Sequence, residues 1–216
     1  MPVINHDLHG NAPDTSAVAL LLIDFINDFD FDDAKELFVQ TLPVAHAVAA
    51  LKQRAKRLGI PCIYINDNFG RWQSNFQKLV DHCLHDDVMG RPIVELLRPE
   101  DDDYFVLKPK HSGFYSTTLD VLLDYLQSKT LILTGIAGNI CVLFTANDAY
   151  MRDFHIIVPH DCIASVLQQD NDYALHQIET VLKADIRASR EVDLEALLQK
   201  PAVSSGKKET SSQHES

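Results

Sequence analysis

Thr130-Leu-Ile-Leu-Thr-Gly-Ile-Ala-Gly-Asn-Ile-Cys-Val-Leu-Phe-Thr-Ala-Asn-Asp-Ala149 changes character at its middle. It opens as an apolar run of strand-forming residues, breaks at Gly135-Ile136-Ala137-Gly138, and continues as a helical pattern with Cys141 in its first turn. Strand, glycine turn and helix together form the repeating unit of parallel α/β sheets. The same placement gives Cys141 two readings. Backbone N–H groups at a helix start lack intrahelical partners, and the macrodipole adds partial positive charge, so a thiol there ionises more easily. A free cysteine is equally at home as a small buried core residue. Position alone does not choose between them.

The same alternation extends in both directions. Ala17-Val-Ala-Leu-Leu-Leu-Ile23 is a near-continuous apolar strand, as expected where helices cover both faces of a parallel sheet. Ala45 to Leu58 has apolar residues at helical spacing, and Gly59 stops it. Further strands are predicted at Ile60 to Ile65, Tyr104 to Leu107, Leu131 to Thr134 and His155 to Val158, with a short sixth at Ala184 to Ile186. Helices are predicted at Thr117 to Leu126, Ile140 to Arg152 and Asn171 to Leu182. Between Phe69 and Glu100 the pattern is less regular, with helices over Gln73 to His85 and Ile93 to Arg98. The expected architecture is a three-layer, doubly wound, mostly parallel sheet of about six strands with helices on both faces. Residues 1–200 read as one domain, and the polar, aperiodic 201–216 as a mobile tail without a catalytic part.

Composition narrows the function classes. The 216 residues are 46% hydrophobic and 23% charged, ordinary values for a soluble globular protein. A net charge of −12, from 19 basic and 31 acidic residues, disfavours nucleic acid or an anionic membrane surface as partner. No apolar run approaches the length of a membrane span, and Met1-Pro-Val-Ile-Asn-His6 lacks a signal peptide's regions, so a cytoplasmic location is expected. Cys62, Cys83, Cys141 and Cys162 form neither a Cys-x-x-Cys pair nor a zinc-spaced cluster. Cys62 reads as strand core, and Cys83 and Cys162 as filler.

In open α/β sheets, ligands bind beyond the carboxyl ends of the strands. The residues expected there are Asp24, then Asn66-Asp67-Asn68, Lys108, Cys141 and His160-Asp161. Asp24 ends seven apolar residues, so its carboxylate is partly desolvated, and an acid beside a thiol can take and return its proton. Lys108 can hold that acid charged or stabilise a thiolate. The plainer reading is an Asp24–Lys108 ion pair that ties strand ends together. Cys141 makes a site the more economical account of all three.

These residues resemble a known group of enzymes. Ile23-Asp-Phe-Ile-Asn-Asp-Phe29, Lys108-Pro-Lys-His-Ser-Gly-Phe114 and Thr134-Gly-Ile-Ala-Gly-Asn-Ile-Cys-Val142 look like the motifs of the isochorismatase-like cysteine hydrolases. That superfamily includes nicotinamidases, N-carbamoylsarcosine amidases, ureidoacrylate hydrolases and isochorismatases. The resemblance runs from about Ala17 to Ile186. It implies Asp24 as general acid/base, Lys108 as its electrostatic partner and Cys141 as nucleophile. It also implies a cis peptide at Ile136–Ala137, an oxyanion hole from the Ala137 and Cys141 N–H groups, and a homodimer or homotetramer.

The departures from the family pattern are informative. Nicotinamidases hold a metal through an aspartate and two histidines after the second strand. Here Asp67 matches, but Phe69 stands where the first histidine belongs, and His82 and His85 read as an exposed helix face. No metal and no cofactor are expected. Ile26 replaces a polar residue, and Gly138-Asn139 replaces a common Thr-Asp. Isochorismatases proper often lack the cysteine, so Cys141 points towards amide-type carbonyls.

Phe29, Asn68, Trp72 and Phe114 are the candidate substrate-binding residues, with Tyr115 and His111 behind them. Trp72, the sole tryptophan, is equally a core residue. The expected function is metal-independent hydrolysis of a small amide, ureide or carbamoyl compound through a thioester. One alternative is a catalytically silent binding or scaffold protein of the same fold. Another, a nucleotide-binding oxidoreductase, is weak because Thr134-Gly-Ile-Ala-Gly138 lacks the Gly-x-Gly-x-x-Gly pattern.

Overall fold

The computed structural model describes residues 15–68 and 75–199. Phe69, Trp72 and the tail 201–216 lie outside them.

Strand β1 (Val18–Ile23) is the centre of the molecule, and all six of its residues are wholly buried. It pairs with β2 (Cys62–Asp67) on one edge and β4 (Thr130–Ile136) on the other. With both edges paired and both faces covered, only an uninterrupted apolar run satisfies every position. Strand β3 (Tyr104–Lys108) extends the sheet beyond β2, and β5 (His155–Ile157) lies beyond β4, giving the order β3-β2-β1-β4-β5. Every strand pairing is parallel.

The sixth strand is not where periodicity places it. Strand β6 is Ile163–Ala164, paired with Gly135 and Ile136 of β4. Strand β5 ends at Ile157, opposite Ile132, which leaves the end of β4 without a β5 partner on that edge. A 3₁₀ turn at His160–Cys162 brings the chain back to fill the gap. Ala184 to Ile186 contributes only an isolated bridge between Asp185 and Ile157. Its extension stops where the Asp185 carboxylate accepts the Arg187 N–H at 3.0 Å and turns the chain.

Helices α1 (Ala34–Arg57), α2 (Phe76–His85), α3 (Arg91–Leu96) and α7 (Leu194–Gln199) pack on one face. Helices α4 (Leu119–Tyr125), α5 (Leu143–Tyr150) and α6 (Gln168–Thr180) cover the other. Alternate β1 residues feed the two cores: Val18, Leu20 and Leu22 on the first, Ala19, Leu21 and Ile23 on the second. Helix α1 starts well before the predicted Ala45 and runs through Pro43. Proline removes the donor to the residue four positions back, here Val39. Val39 is exposed, so water can serve its carbonyl and the helix continues.

Candidate active site

Strand order reverses between β1 and β4, since β1 leads outward through β2 to β3 while β4 leads the other way to β5. The carboxyl ends at such a reversal splay their loops apart and leave a crevice. Asp24 follows β1 directly, and Cys141 follows β4 after a short turn. That turn needs its glycines. Gly135 has φ +144 and faces Ile23, whose carbonyl oxygen would lie 2.4 Å from an added Cβ. A Cβ on Gly138 would come within 2.3 Å of Asn171 Oδ1. The Ile136–Ala137 peptide between them is cis. From Gly138 to Val142 the backbone winds as a π-helical turn, which leads into α5.

Lys108 ends β3 with its side chain fully buried, and its ammonium joins the other two. Lys108 Nζ lies 2.9 Å from Asp24 Oδ2 and 3.4 Å from Cys141 Sγ. The Asp67 carboxylate stands 3.6 Å from the same nitrogen, on a side chain 36% exposed. The other Asp24 oxygen accepts the Asp67 backbone N–H at 2.8 Å. Asp24 itself sits at φ 55, in the left-handed region that aspartate tolerates better than most residues. The sequence-predicted Asp24, Lys108 and Cys141 therefore lie within hydrogen-bond or ion-pair reach of one another.

Burial dominates the electrostatics. It raises the Asp24 carboxyl above its usual range, while Lys108 and the hydrogen bonds to Asp24 pull it partly back. Burial also acts to lower Lys108, but Asp24, Cys141 and Asp67 together raise it, so it stays an ammonium. The Cys141 thiol is pushed up to about 12, first by burial and then by Asp24, against the pull of Lys108. A helix start by itself shifts a thiol the opposite way. One ammonium serves two carboxylates and the thiol, and a partly buried sulfur gains less from the helix end than it loses in solvation.

The remaining candidates scatter. Phe29 packs into the first core against Phe31 and Phe38, its ring centroids 6.0 and 5.6 Å from theirs. Asn68 is buried beside the site, and its N–H donates to the Lys108 carbonyl at 3.0 Å. Phe114 lies in the second core, its ring 5.9 Å from Phe154 and capped by the Arg152 guanidinium at 4.7 Å. His111 is exposed and rests near the Phe144 ring, and Tyr115 is exposed. Asp161 accepts the Ser189 N–H and hydroxyl at 2.7 and 2.8 Å, a tie between chain segments. Cys62, Cys83 and Cys162 are buried, and burial raises all three thiols.

His82 Nδ1 lies 2.6 Å from Asp86 and its Nε2 3.5 Å from Asp28, so both ring nitrogens are engaged. Asp86, then Asp28, raise its pKa. Among the described residues, no group of three or more His, Cys, Asp or Glu could share a metal ion.

Three polar residues at the site carried no sequence signal. Thr145 donates to the Cys141 carbonyl at 2.7 Å and accepts the Gly113 N–H at 3.0 Å. Ser165 accepts the Asn139 N–H at 3.1 Å and donates to Asn171 Oδ1 at 3.0 Å, bracing the turn before the cysteine. Thr145 and Ser165 are single hydroxyls in apolar surroundings, and Asn171 is one of several polar residues at the start of α6. Only the packing gives them partners.

The isochorismatase domain matches residues 18–187, a span that contains every element from β1 to the Asp185 bridge. The chain belongs to the isochorismatase family. Among relatives, the uncharacterized isochorismatase family protein YaaI of Bacillus subtilis (strain 168) is 45% identical over 174 residues, covering 81% of this chain and 95% of that one. The ureidoacrylate amidohydrolase RutB of Methylorubrum extorquens is 41% identical over 92 residues, 41% of this chain and 36% of RutB. Among solved structures, N-carbamoylsarcosine amidase from Thermoplasma acidophilum superposes with TM-score 0.62 at 27% identity, over 82% of this chain and 98% of the amidase. This family member thus keeps an isochorismatase fold with a carboxylate, an ammonium and a thiol converging at the reversal of its sheet.

Proposed function

We propose that the protein is a cysteine hydrolase of a small amide, ureide or carbamoyl compound, acting without a metal. The observation that carries the reading is Lys108 Nζ, placed between the Asp24 carboxylate and the Cys141 sulfur at 2.9 and 3.4 Å. Two relatives whose names specify amide or carbamoyl substrates, the RutB amidohydrolase and the Thermoplasma amidase, support the bond type.

Because the thiol is held up at about 12, the resting cysteine is protonated at neutral pH. Asp24 takes the thiol proton as the sulfur attacks the substrate carbonyl carbon. The carbonyl oxygen becomes an oxyanion held by the Ala137 and Cys141 N–H groups, and Lys108 keeps the two reacting side chains in register. The C–N bond breaks, nitrogen leaves with the proton from Asp24, and a thioester remains. Water then adds to the thioester, giving one proton to Asp24, which returns it to the sulfur as the acid product departs.

The residues after β2 support the metal-free part. A metal-binding histidine is replaced by Phe69 in the sequence, Asp67 lies near Lys108, and both ring nitrogens of His82 are engaged by Asp28 and Asp86. We also propose a homodimer or homotetramer, supported by Ile140, Phe144 and Met151, exposed from just before α5 to just beyond it; a monomer by sedimentation would overturn it. The test of the activity is a panel of small amides and ureides assayed with the wild type and Cys141→Ala. Turnover of any substrate found should drop about a thousandfold or more in the variant. Normal turnover by Cys141→Ala would refute the mechanism.

A further inference from the structure

Lys108 ends β3 and Cys141 lies in the turn after β4, and nothing in the sheet itself holds one against the other: β3 and β4 are separated by β2 and β1. Their 3.4 Å approach depends on how the loop after β3 meets the helix after β4. That loop, Pro109 to Phe114, is gripped at three points by residues on and just beyond α5. Gly113 N–H donates to Thr145 Oγ1 at 3.0 Å, the Ser112 hydroxyl donates to Asp148, and the Phe114 ring lies under Arg152. Positions 145, 148 and 152 fall on one helical face. The loop also lies flat: a Cβ on Gly113 would meet Ile65 Cγ2 at 3.1 Å.

Of the three grips, the one at Thr145 alone reaches the nucleophile. Its hydroxyl is wholly buried and donates at 2.7 Å to the carbonyl of Cys141. A helical threonine that bonds back four residues is common and by itself says little. The second partner, from the loop that follows the catalytic lysine, makes this hydroxyl a bridge. A single oxygen accepts from the Lys108 loop and donates to the Cys141 backbone.

We propose that Thr145 is a positioning residue whose hydroxyl sets the separation between the Lys108 ammonium and the Cys141 sulfur. It touches no reacting atom and acts through Lys108. The inference rests on the Asp24, Lys108 and Cys141 arrangement behind the proposed hydrolase, but its test reads the thiol and requires no substrate. Lys108 draws the Cys141 thiol down, by its charge and by its hydrogen bond. A loosened loop moves that ammonium away and leaves the sulfur harder to ionise.

The experiment is the pH profile of iodoacetamide alkylation of Cys141, followed by peptide mapping so that the three buried cysteines are scored separately. Thr145→Val keeps the branched shape and loses the hydroxyl. It should alkylate about tenfold more slowly at neutral pH, with its profile displaced to higher pH. Thr145→Ser, which keeps the bridge, should stay within about twofold of the wild type. If Thr145→Val does not fold, Thr145→Ala makes the same deletion with no branched side chain to place. In a Lys108→Met background the hydroxyl has nothing left to position, so Thr145→Val should have no further effect. A wild-type profile for the hydroxyl-less variants overturns the proposal. So does an equal effect in the Lys108→Met background. Either result stands independently of whether a substrate is hydrolysed.

Discussion

The thiol of Cys141 shows which effect wins at a partly buried helix start. A helix end is worth roughly 0.3–1 kcal/mol to a charge at an exposed position. Desolvation of a buried acid shifts its pKa by up to about 3–5 units, each worth about 1.4 kcal/mol. The thiol accordingly lies at about 12, above its ordinary 9.0. Asp24 adds to that rise, which yields a prediction of unusual sign. Asp24→Asn removes the negative charge that favours the protonated thiol and leaves only a neutral amide oxygen as acceptor, so the thiol pKa falls. At neutral pH, below both values, a lower pKa means more thiolate, and alkylation of Cys141 should speed up about tenfold. Hydrolysis by the same variant should be lost, because no base remains to carry the proton. Slower alkylation of Asp24→Asn than of wild type would show that Asp24 does not act on the thiol. The types of these residues and their places at strand ends were legible in the sequence, because an acid or lysine at the end of an apolar strand contrasts with its surroundings. The direction of the thiol shift was not, since it depends on how many carboxylates share one ammonium. Phe29 and Phe114 illustrate the same limit: both follow strands as the site residues do, and both turn into the cores.

Among the elements, α1 is secured by a buried charge. Lys52 Nζ, on a side chain 6% exposed, lies 2.6 Å from Asp103 Oδ2, 3.1 Å from the Tyr64 hydroxyl and 3.1 Å from the Arg98 carbonyl. Tyr64 in turn donates to the Leu97 carbonyl at 2.7 Å. Helix α1, strand β2 and the turn before β3 thereby share one polar knot inside the first face. Lys52→Met leaves the Asp103 carboxylate, itself almost wholly buried, with Lys56 as its remaining cation. A loss of about 3 kcal/mol is expected in urea denaturation, and adding Asp103→Leu should recover much of it. A cost near zero for Lys52→Met alone would mean that Lys56 carries the pair. None of this was readable beforehand, because Pro43 and the acidic run Glu100 to Asp103 look like interruptions. The helix survives its proline because the orphaned carbonyl is at the surface, and Asp103 leaves the solvated run to meet Lys52. Strand β6 escaped for a related reason: at two residues it has no period to detect.

Across the whole molecule, the alternation of apolar strands with amphipathic helices was enough to specify parallel layers, and the ordered motifs were enough to specify the family. The order of strands was not contained in that alternation, since a parallel pair leaves the same local pattern whichever neighbour it takes. Strand β1 stands between β2, its neighbour in the chain, and β4, which arrives more than half a chain later. Asp24 and Cys141 sit on either side of that long-range pairing. A central strand placed in this way has a consequence for biosynthesis. Among the described strands the most apolar one is synthesised before the others, and one of its edges stays open until residues 130–136 have left the ribosome. Closing so long a loop is slow, and an open hydrophobic edge is a template for the wrong partner in the meantime. A nascent chain halted before β4 therefore has neither Cys141 nor a partner for the second edge of β1, so the sheet and the candidate site are completed in the same late step.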